Sequence, residues 1–419
     1  MNLTRQIEKY LPQQLLELLR DISRQADELG QSVYLVGGVV RDILLGHPSF
    51  DLDLVLEGDA IGLAQRIAET NQAKVITHPR FGTAKLSYGD FTLDIATARG
   101  EIYTRPGMLP LVTPGTLSDD LSRRDFSINA MAISLDLKCY GELIDAYGGK
   151  NDLEHRLIRI LHTASFQDDA TRILRAIRYE QRLGFKLETQ TAKLFNRDIP
   201  MLDTISGDRI RHELELIFRE ECPEFAINRL DELGVLRVIS SSLKVDSWMA
   251  GKFCEARRLS KPNQLSLLYF CLLVYPLNEG EEDQLLHRLN IPAKLSRAMR
   301  DTLLLKTNLS HMDKAPMKPS DIYYLLREYD PLAIQANTIA SDSLVVRDNL
   351  QLFVTKLRFI KPLLSGEELK GLGISPGPEM GSILQSLHRA KLDREVNTRA
   401  DEENLALLLK SSKHYTEIE

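Results

Sequence analysis

Two aspartates separated by a single leucine, Asp51 and Asp53, constrain the fold of this chain more than any other feature. The apolar residues 52–56 predict a β-strand at this point. Because residues i and i+2 of a strand point to the same face, both carboxylates should project together, close enough to share a divalent cation. An isolated Asp-x-Asp motif usually belongs to the solvent-exposed face of a strand. Whether this one binds a metal therefore depends on the residues around it.

A pair of glycines, Gly37 and Gly38, precedes the two aspartates in the chain. Residues 33–36 predict a short apolar strand, and residues 39–45 predict a helix that ends at Gly46. Glycines at the start of a helix let a phosphate approach the backbone closely, and the free N–H groups there favour an anion. A phosphate site beside a carboxylate pair is what nucleotidyl transfer requires, although a Gly-Gly pair alone is usually just a turn.

A third carboxylate is predicted on a hairpin further along the chain. Residues 83–88 and 91–98 predict two strands joined by a turn at a Gly-Asp pair. Asp94 lies in the second strand among apolar neighbours, so its charge needs a partner. A metal shared with Asp51 and Asp53 would supply that partner and support two-metal phosphoryl transfer. The alternative is an edge-strand aspartate that faces solvent.

Two later motifs place arginines beside aspartates. In the first, Arg123 and Arg124 could neutralise a triphosphate, and Asp125 could accept a hydrogen bond from a ribose hydroxyl. The alternative is an ordinary charged turn.

The second motif lies at the start of a helix predicted over residues 171–183. On a helix, Asp169 and Arg172 would be neighbours three residues apart, and Arg175 and Arg178 would follow at three-residue steps. A carboxylate beside a guanidinium offers an acceptor and donors, a pattern that suits cytosine and adenine but not uracil or guanine. The alternative is a salt-bridged helix surface.

Composition bounds the class of protein. A chain of 419 residues is long enough for two to four domains. The net charge of −6 does not favour a nucleic-acid partner, so a local basic cluster such as Lys356, Arg358 and Lys361 carries more weight than the total. The four cysteines are scattered without a CxxC pair, which argues against disulfides or zinc and predicts a reducing cytosol. We expect no secretory leader and no membrane span.

Taken together, the motifs resemble those of class II tRNA nucleotidyltransferases. This family of CCA-adding enzymes also includes bacterial poly(A) polymerases and the separate CC-adding and A-adding enzymes. The resemblance covers roughly residues 30–215, about the first half of the chain. The segments that carry it are 35–42, 50–53, 123–130, 143–149, 168–178 and 183–185.

The resemblance implies an α+β nucleotidyltransferase head followed by an all-α neck, body and tail. Strand signals that fade after about residue 167 agree with this order. The predicted domains are an N-terminal helix at 1–30, the head at 31–150, the neck with the nucleotide-base template at 151–220, the body at 221–310 and a tRNA-binding tail at 311–419.

The resemblance also implies roles for individual residues. Asp51 and Asp53 would be catalytic metal ligands, with Asp94 as the third catalytic carboxylate. Asp169 and Arg172 would be the protein template that reads the base. The other residues of the nucleotide-binding site would be Gly37, Gly38, Arg41, Asp42, Arg124, Asp125, Asn129, Arg175 and Arg178.

Two departures from the family pattern bear on the product. Asp168 stands where CCA-adding members usually have glutamate. Residues 98–107 resemble the flexible loop that lets these enzymes switch from C to A. Their sequence is closer to that of A-adding or poly(A)-type members. The separation of Asp94 from Arg123 argues against the loop deletion of CC-adding enzymes.

The resemblance therefore predicts a Mg²⁺-dependent cytoplasmic enzyme that adds CCA, or only the terminal A, to the tRNA 3′ end from CTP and ATP without a nucleic-acid template. A poly(A) polymerase of the same family is the first alternative, placed second because the sequence shows no long basic C-terminal extension. A non-catalytic RNA-binding protein on this fold is a remote alternative, since all three candidate carboxylates are present.

Overall fold

The structure is a computed structural model that describes residues 1–48, 50–108, 110–309, 312 and 317–414. It divides into two units, which are described separately. The first comprises Met1–Glu221 and Phe225–Ser241, and the second comprises Cys222–Glu224 and Ser242–Glu419. The predicted boundary between body and tail, at residues 310 and 311, lies outside the described residues. No helix of the described ranges is long and apolar enough to cross a bilayer.

The first unit is built on a mixed β-sheet with helices around it. Its strands are β1 (Ser32–Val36), β2 (Asp51–Glu57), β3 (Lys74–His78), β4 (Thr83–Tyr88), β5 (Phe91–Thr97), β6 (Arg99–Ile102), β7 (Leu111–Pro114), β8 (Ala132–Ser134), β9 (Leu143–Ile144), β10 (Leu157–Ile158) and β11 (Lys186–Leu187). Seven of them form one sheet in the order β3-β4-β5-β2-β1-β8-β9. Only β2 and β5 pair in parallel within it.

The helices of the first unit follow in chain order. They are α1 (Thr4–Tyr10), α2 (Gln13–Glu28), α3 (Gly38–Leu45), α4 (Ala60–Asn71), α5 (Leu117–Ser122), α6 (Gly149–Glu154), α7 (Ser165–Asp168), α8 (Thr171–Leu183), α9 (Thr189–Asp198), α10 (Gly207–Ile217), α11 (Pro223–Glu232), whose first two residues belong to the second unit, and α12 (Val235–Ile239). A 3₁₀ helix, Ile199–Thr204, precedes α10. The helices predicted at 39–45 and 171–183 are confirmed as α3 and α8.

The predicted hairpin is confirmed, but a segment predicted as a loop is not. Strands β4 and β5 are joined at Gly89, whose φ of +57° suits a tight turn. Residues 98–107, predicted as a flexible loop, instead contain β6, which pairs with β7 in a separate two-stranded ribbon. We call residues 99–114, apart from residue 109, the ribbon.

The described part of the second unit is helical. Its helices are α13 (Ser247–Leu259), α14 (Pro262–Val274), α15 (Glu279–Arg288), α16 (Ala293–Asn308), α17 (Pro319–Leu326), α18 (Pro331–Ala340), α19 (Leu344–Thr355), α20 (Gly366–Gly371), α21 (Pro378–Leu392) and α22 (Arg399–His414). One buried apolar cluster includes Ile322, Leu350 and Phe353. Another, near the end of the chain, includes Leu369, Ile383 and Ala406. The mixed sheet followed by helices confirms the predicted fold class.

Candidate active site

An open pocket of about 610 Å³ lies in the first unit, at the turn between β1 and α3. It brings together candidate residues that are far apart in the chain, and only Arg178 of the predicted set is not among its lining. The lining includes Gly37, Gly38, Arg41, Asp42, Asp51, Asp53, Asp94, Arg124, Asp125, Asn129, Asp169, Arg172 and Arg175.

Gly37 forms the turn that separates β1 from α3, and its φ of +75° is one that glycine adopts readily. A Cβ built on Gly37 would lie 2.7 Å from Nη1 of Arg124 and 3.9 Å from Oδ2 of Asp53. Because Gly37 has no side chain, the Arg124 guanidinium can rest directly on the turn, beside the acids. A Cβ on Gly38 would meet only Nη2 of Arg41, at an ordinary contact distance of 3.5 Å.

The two aspartates of β2 project together, as predicted. Asp51 and Asp53 are exposed, whereas Leu52 and Leu54 between and after them are buried. Desolvation at the pocket wall and then the negative charge of Asp51 raise the pKa of Asp53 to about 6, against the lowering effect of Arg124. The pair is thus short of positive charge, a condition that a bound cation would relieve.

Asp94 lies beside this pair and also has a partner that was not predicted from the sequence. Its Cα is in register with that of Asp53 on the parallel strand β2, and with that of Lys85 on β4. The Asp94 carboxylate accepts a hydrogen bond from Nζ of Lys85 at 3.2 Å, so a lysine already supplies the partner that a metal was expected to provide.

The pocket offers a pair of oxygen ligands rather than a complete protein cage for a metal. Within the described ranges, no group of three or more His, Cys, Asp or Glu side chains is arranged to hold an ion. Mg²⁺ often binds through one or two carboxylates, with substrate phosphates and water completing its shell. The charge-deficient pair Asp51 and Asp53 fits that mode of binding, and the catalytic role of Asp94 stays a prediction.

The two arginines of the first motif share one buried carboxylate. Asp120, which is fully buried, accepts from Nε of Arg123 at 3.0 Å, and from Nε and Nη2 of Arg124 at 3.1 and 2.8 Å. A buried carboxylate that bonds two guanidinium groups fixes both of them in orientation. Asp120 was not predicted from the sequence, although its spacing of three and four residues from the arginines on a helix was a usable signal.

Asp125 is buried and bonded on both of its carboxylate oxygens. Oδ2 accepts from Nε and Nη2 of Arg175 at 2.9 and 2.6 Å, and Oδ1 accepts from Nδ2 of Asn129 at 3.0 Å. Burial raises the pKa of Asp125, but Arg175 and Asn129 outweigh it and hold the pKa at about 2. Asn129 in turn accepts from Nη1 of Arg41 at 2.7 Å. Asp125 therefore joins the side chains of the pocket to one another, and its predicted bond to a ribose stays a prediction.

The predicted template residues both line the pocket, but they are not neighbours on one helix. Asp169 lies between α7 and α8 in an extended conformation, with φ −139° and ψ 98°, and Oδ1 accepts from the backbone N of Thr171 at 2.9 Å. Arg172 is buried, and Nη1 donates to Oγ of Ser165 at 2.7 Å while Nη2 donates to the carbonyl of Arg123 at 2.6 Å. The prediction of a helical i, i+3 pair is wrong because Asp169 lies before the first residue of α8, and its Oδ1 atom accepts from Nη2 of Arg209 at 2.7 Å.

Two protein-family models match separate parts of the chain. The family model for the poly A polymerase head domain matches residues 33–159, and the model described as a probable RNA and SrmB-binding site of polymerase A matches residues 184–246. The A-adding tRNA nucleotidyltransferase of Halalkalibacterium halodurans is 35% identical over 370 residues, which are 87% of this chain and 85% of the relative. The chain belongs to the tRNA nucleotidyltransferase family.

Other members of the tRNA nucleotidyltransferase family agree in sequence and in structure. The A-adding tRNA nucleotidyltransferase of Geobacter sulfurreducens is 36% identical over 430 residues, covering 96% of this chain but 48% of the relative. The chain thus spans about half the length of that relative. The Thermotoga maritima CCA-adding enzyme solved in complex with tRNA_CCA has a TM-score of 0.75 and 29% identity, covering 97% of this chain and 98% of that one.

One predicted nucleotide-binding residue of this family member lies away from the pocket. Arg178 is buried on α8, where Nη1 lies 3.5 Å from Oε2 of Glu213 and Nε lies 3.9 Å from Oε1 of Glu220. Three residues rotate a helix by about 300°, so Arg178 falls about 60° short of lying directly above Arg175 on the same face. We therefore expect Arg178 to hold α8 against the glutamates.

The ribbon also contributes to the pocket. Glu101 accepts from Nη1 of Arg123 at 3.0 Å, from Nη2 of Arg99 at 3.2 Å and from the Tyr103 hydroxyl at 2.8 Å. Burial and the hydrogen bond to Glu101 raise the pKa of Tyr103. Within the segment predicted as a loop, Glu101 and Tyr103 therefore belong to a hydrogen-bond and ion-pair network that was not predicted from the sequence.

Proposed function

We propose that this protein is a Mg²⁺-dependent tRNA nucleotidyltransferase that adds nucleotides from CTP and ATP to the tRNA 3′ end without a nucleic-acid template. The observation that carries the proposal is the pocket in which the carboxylate pair Asp51 and Asp53 lies beside Gly37 and Arg124. Family membership supports the reaction class.

In the proposed reaction, the 3′-hydroxyl of the RNA attacks the α-phosphorus of the nucleotide. The new P–O bond replaces the bond to the β-phosphate, pyrophosphate leaves, and the hydroxyl proton is lost to solvent. Asp51 and Asp53 would hold Mg²⁺, which when bound supplies charge that stabilises the transferring phosphoryl group. Arg124, held by Asp120, would position the triphosphate, and catalysis would consist mostly of positioning and charge neutralisation.

Base selection would use the two residues of the neck motif. Within the described part of the chain, Oδ2 of Asp169 accepts no hydrogen bond from the protein, so it can accept one from the exocyclic amino group of adenine or cytosine. Three of the five guanidinium N–H groups of Arg172 donate to protein acceptors, which leaves two for the base ring. Uracil and guanine would present a carbonyl to the carboxylate.

A basic surface of the second unit supports RNA as the partner. We call it the tail patch, and its exposed residues are Lys356, Arg358, Phe359 and Lys361. The Arg358 guanidinium lies 4.8 Å from the ring centre of Phe359, whose side chain is 64% exposed. Cations next to an exposed ring suit phosphates and unstacked bases.

Addition of the terminal A is the step that we propose first. The relatives described above from Halalkalibacterium halodurans and Geobacter sulfurreducens are named A-adding enzymes. Poly(A) polymerase activity is the second candidate, because the head-domain model that matches residues 33–159 carries that description. A cytoplasmic location is part of the proposal, supported by four cysteines without a disulfide in the structure.

The test offers defined RNA ends to the purified protein. tRNA transcripts ending before CCA, after one C and after CC are incubated with Mg²⁺ and each nucleotide separately, and products are sized on a denaturing gel. We expect one A on the transcript ending in CC, and C on the shorter transcripts only if the whole CCA is made. Long A tracts on unrelated RNA would favour the poly(A) polymerase, and no extension of any end would refute the proposal.

The tail patch is tested by binding rather than by chemistry. Arg358→Ala combined with Lys361→Ala should weaken tRNA binding about tenfold and flatten its dependence on salt, while the KM for ATP stays unchanged. Arg300→Ala is a matched control, because Arg300 is also an exposed cation of the second unit but is paired with Asp283 at 2.7 Å. Equal tRNA affinity in both variants would remove the tail patch from the RNA interface.

A further inference from the structure

Tyr179, on α8, lies in the wall of the pocket among three guanidinium groups. The Cζ atom of Arg178 lies 5.3 Å from the centre of its ring, that of Arg41 lies 5.4 Å away and that of Arg175 lies 6.0 Å away. At such distances a cation is attracted to the face of an aromatic ring. One ring is therefore shared by three positive charges, and two of them, on Arg41 and Arg175, line the pocket.

The ring of Tyr179 is held in place by a second ring. Phe126 is fully buried, and its ring meets the Tyr179 ring at an interplanar angle of 82° with the two ring centres 5.9 Å apart. This edge-to-face arrangement is one that aromatic pairs favour. Phe126 therefore sets the orientation of the Tyr179 ring from inside the fold, and that ring can in turn orient the charged groups against it.

Both pocket-lining arginines keep donors for a ligand. A guanidinium group has five N–H groups. In the described part of the chain, Nε and Nη2 of Arg175 donate to Asp125, which leaves three. Arg41 donates through Nε to Asp42 and through Nη1 to Asn129, and its Nη2 lies 2.8 Å from Oδ1 of Asp42, which leaves two. These remaining N–H groups suit the oxygens of a phosphate.

The bonds to the carboxylates do not fix the tilt of either guanidinium group. Both bonds from Arg175 end on one oxygen, Oδ2 of Asp125, and both close contacts of Arg41 with Asp42 end on Oδ1. A fork that closes on a single oxygen holds one edge of the group but lets the plane tilt about that edge. Attraction to the face of the Tyr179 ring restrains this tilt.

We propose that Tyr179 is a positioning residue whose ring holds Arg41 and Arg175 in the orientation that binds the triphosphate of the incoming nucleotide. The ring acts on the nucleotide only through these two guanidinium groups and does not stack on the base. This inference rests on the proposed function, because it concerns the nucleotide that the reaction consumes.

The first experiment measures the affinity of the full chain for ATP, ADP, AMP and adenosine by equilibrium dialysis with Mg²⁺. Tyr179→Leu removes the ring and should weaken ATP binding about tenfold, as expected when two cation–ring contacts are lost. The loss should shrink from ATP to AMP and vanish for adenosine, whereas Tyr179→Phe should bind all four ligands normally. An equal loss for all four would show that the ring stacks on the base, and would overturn the inference.

A second experiment separates the charge distribution of the ring from its bulk. Phenylalanine carrying one, two or three ring fluorine atoms is placed at position 179, because fluorine withdraws electron density from the ring face with little change in size. The Kd for ATP should rise with each fluorine and approach that of Tyr179→Leu with three. The same series at Phe195, a buried ring packed edge to face on Phe166 at 5.7 Å, is the matched control and should leave the Kd unchanged. A Kd that ignores fluorination at position 179 would overturn the inference.

Kinetics complete the test. In extension of a tRNA ending in CC, the KM for ATP should follow the Kd across the fluorinated series while kcat changes less, and a fall in kcat at constant KM would contradict the proposed role. If Tyr179→Leu fails to fold, the fluorinated series decides. If the unaltered protein binds ATP but adds no nucleotide, the proposed function fails and the Kd values still decide the role of Tyr179. If it does not bind ATP, both fail.

Discussion

Replacing Gly37 with alanine tests the turn on which the site is built. The native φ of +75° and ψ of −130° lie in a region that residues with a Cβ rarely adopt, which costs about 1–3 kcal/mol. The new Cβ would also stand 2.7 Å from Nη1 of Arg124, a distance at which the guanidinium must move. Such a movement strains the bonds of Arg124 to Asp120, at 3.1 and 2.8 Å.

Together these effects should destabilise the variant by about 2–4 kcal/mol, since a strained charged hydrogen bond adds about 1 kcal/mol to the backbone cost. For a unit of this size, that corresponds to a fall in Tm of about 5–15 °C. Displacing Arg124 should also raise the KM for ATP about tenfold or more, because the proposed triphosphate contact is lost.

Gly38→Ala is the matched control one residue further on. A Cβ at Gly38 meets only Nη2 of Arg41 at 3.5 Å, and alanine is favoured over glycine within a helix by about 0.5–1 kcal/mol. Its Tm should therefore be unchanged or slightly raised. Thermal unfolding and ATP-dependent tRNA extension are compared for both variants. If Gly37→Ala were as stable as Gly38→Ala and extended tRNA as well as the unaltered protein does, the reasoning about this turn would be refuted.

Three further changes have defined outcomes. Asp53→Asn should lower the rate of nucleotide addition by several orders of magnitude, because a metal ligand is lost. Its Tm should stay unchanged, because the variant also removes the repulsion between Asp53 and Asp51. Activity within tenfold of normal would exclude a metal role. Asp120→Asn should lower the free energy of unfolding by about 3–5 kcal/mol, because it removes the buried counter-charge of two arginines. An unchanged Tm would contradict this. Desolvation raises the pKa of Glu282 to about 7, so the native state holds this proton more tightly than the unfolded state does and stability falls as pH rises from about 4.5 to 7. Glu282→Gln should therefore be more stable than the unaltered protein by about 1–3 kcal/mol at pH 8 but not at pH 4.5, and an equal gain at both would show a packing effect.

Local chain chemistry was sufficient to predict the elements that hold the site. Alternation of side chains along β2 placed Asp51 and Asp53 on one face, and the glycines at 37 and 46 marked both ends of α3. The turn at Gly89 was equally visible. These features depend on interactions between residues that are close in sequence, so periodicity and glycine positions report them directly.

Partners that come from distant parts of the chain were decided only by the tertiary structure. Lys85 was not predicted as a partner of Asp94, yet the register between β4 and β5 brings the two side chains together. Asp169 was placed on a helix beside Arg172, yet it lies in an extended conformation before that helix and pairs with Arg209, 40 residues away. A charged side chain takes whichever counter-charge the packing of sheets and helices brings within reach, and that choice cannot be read from the spacing of residues along the chain.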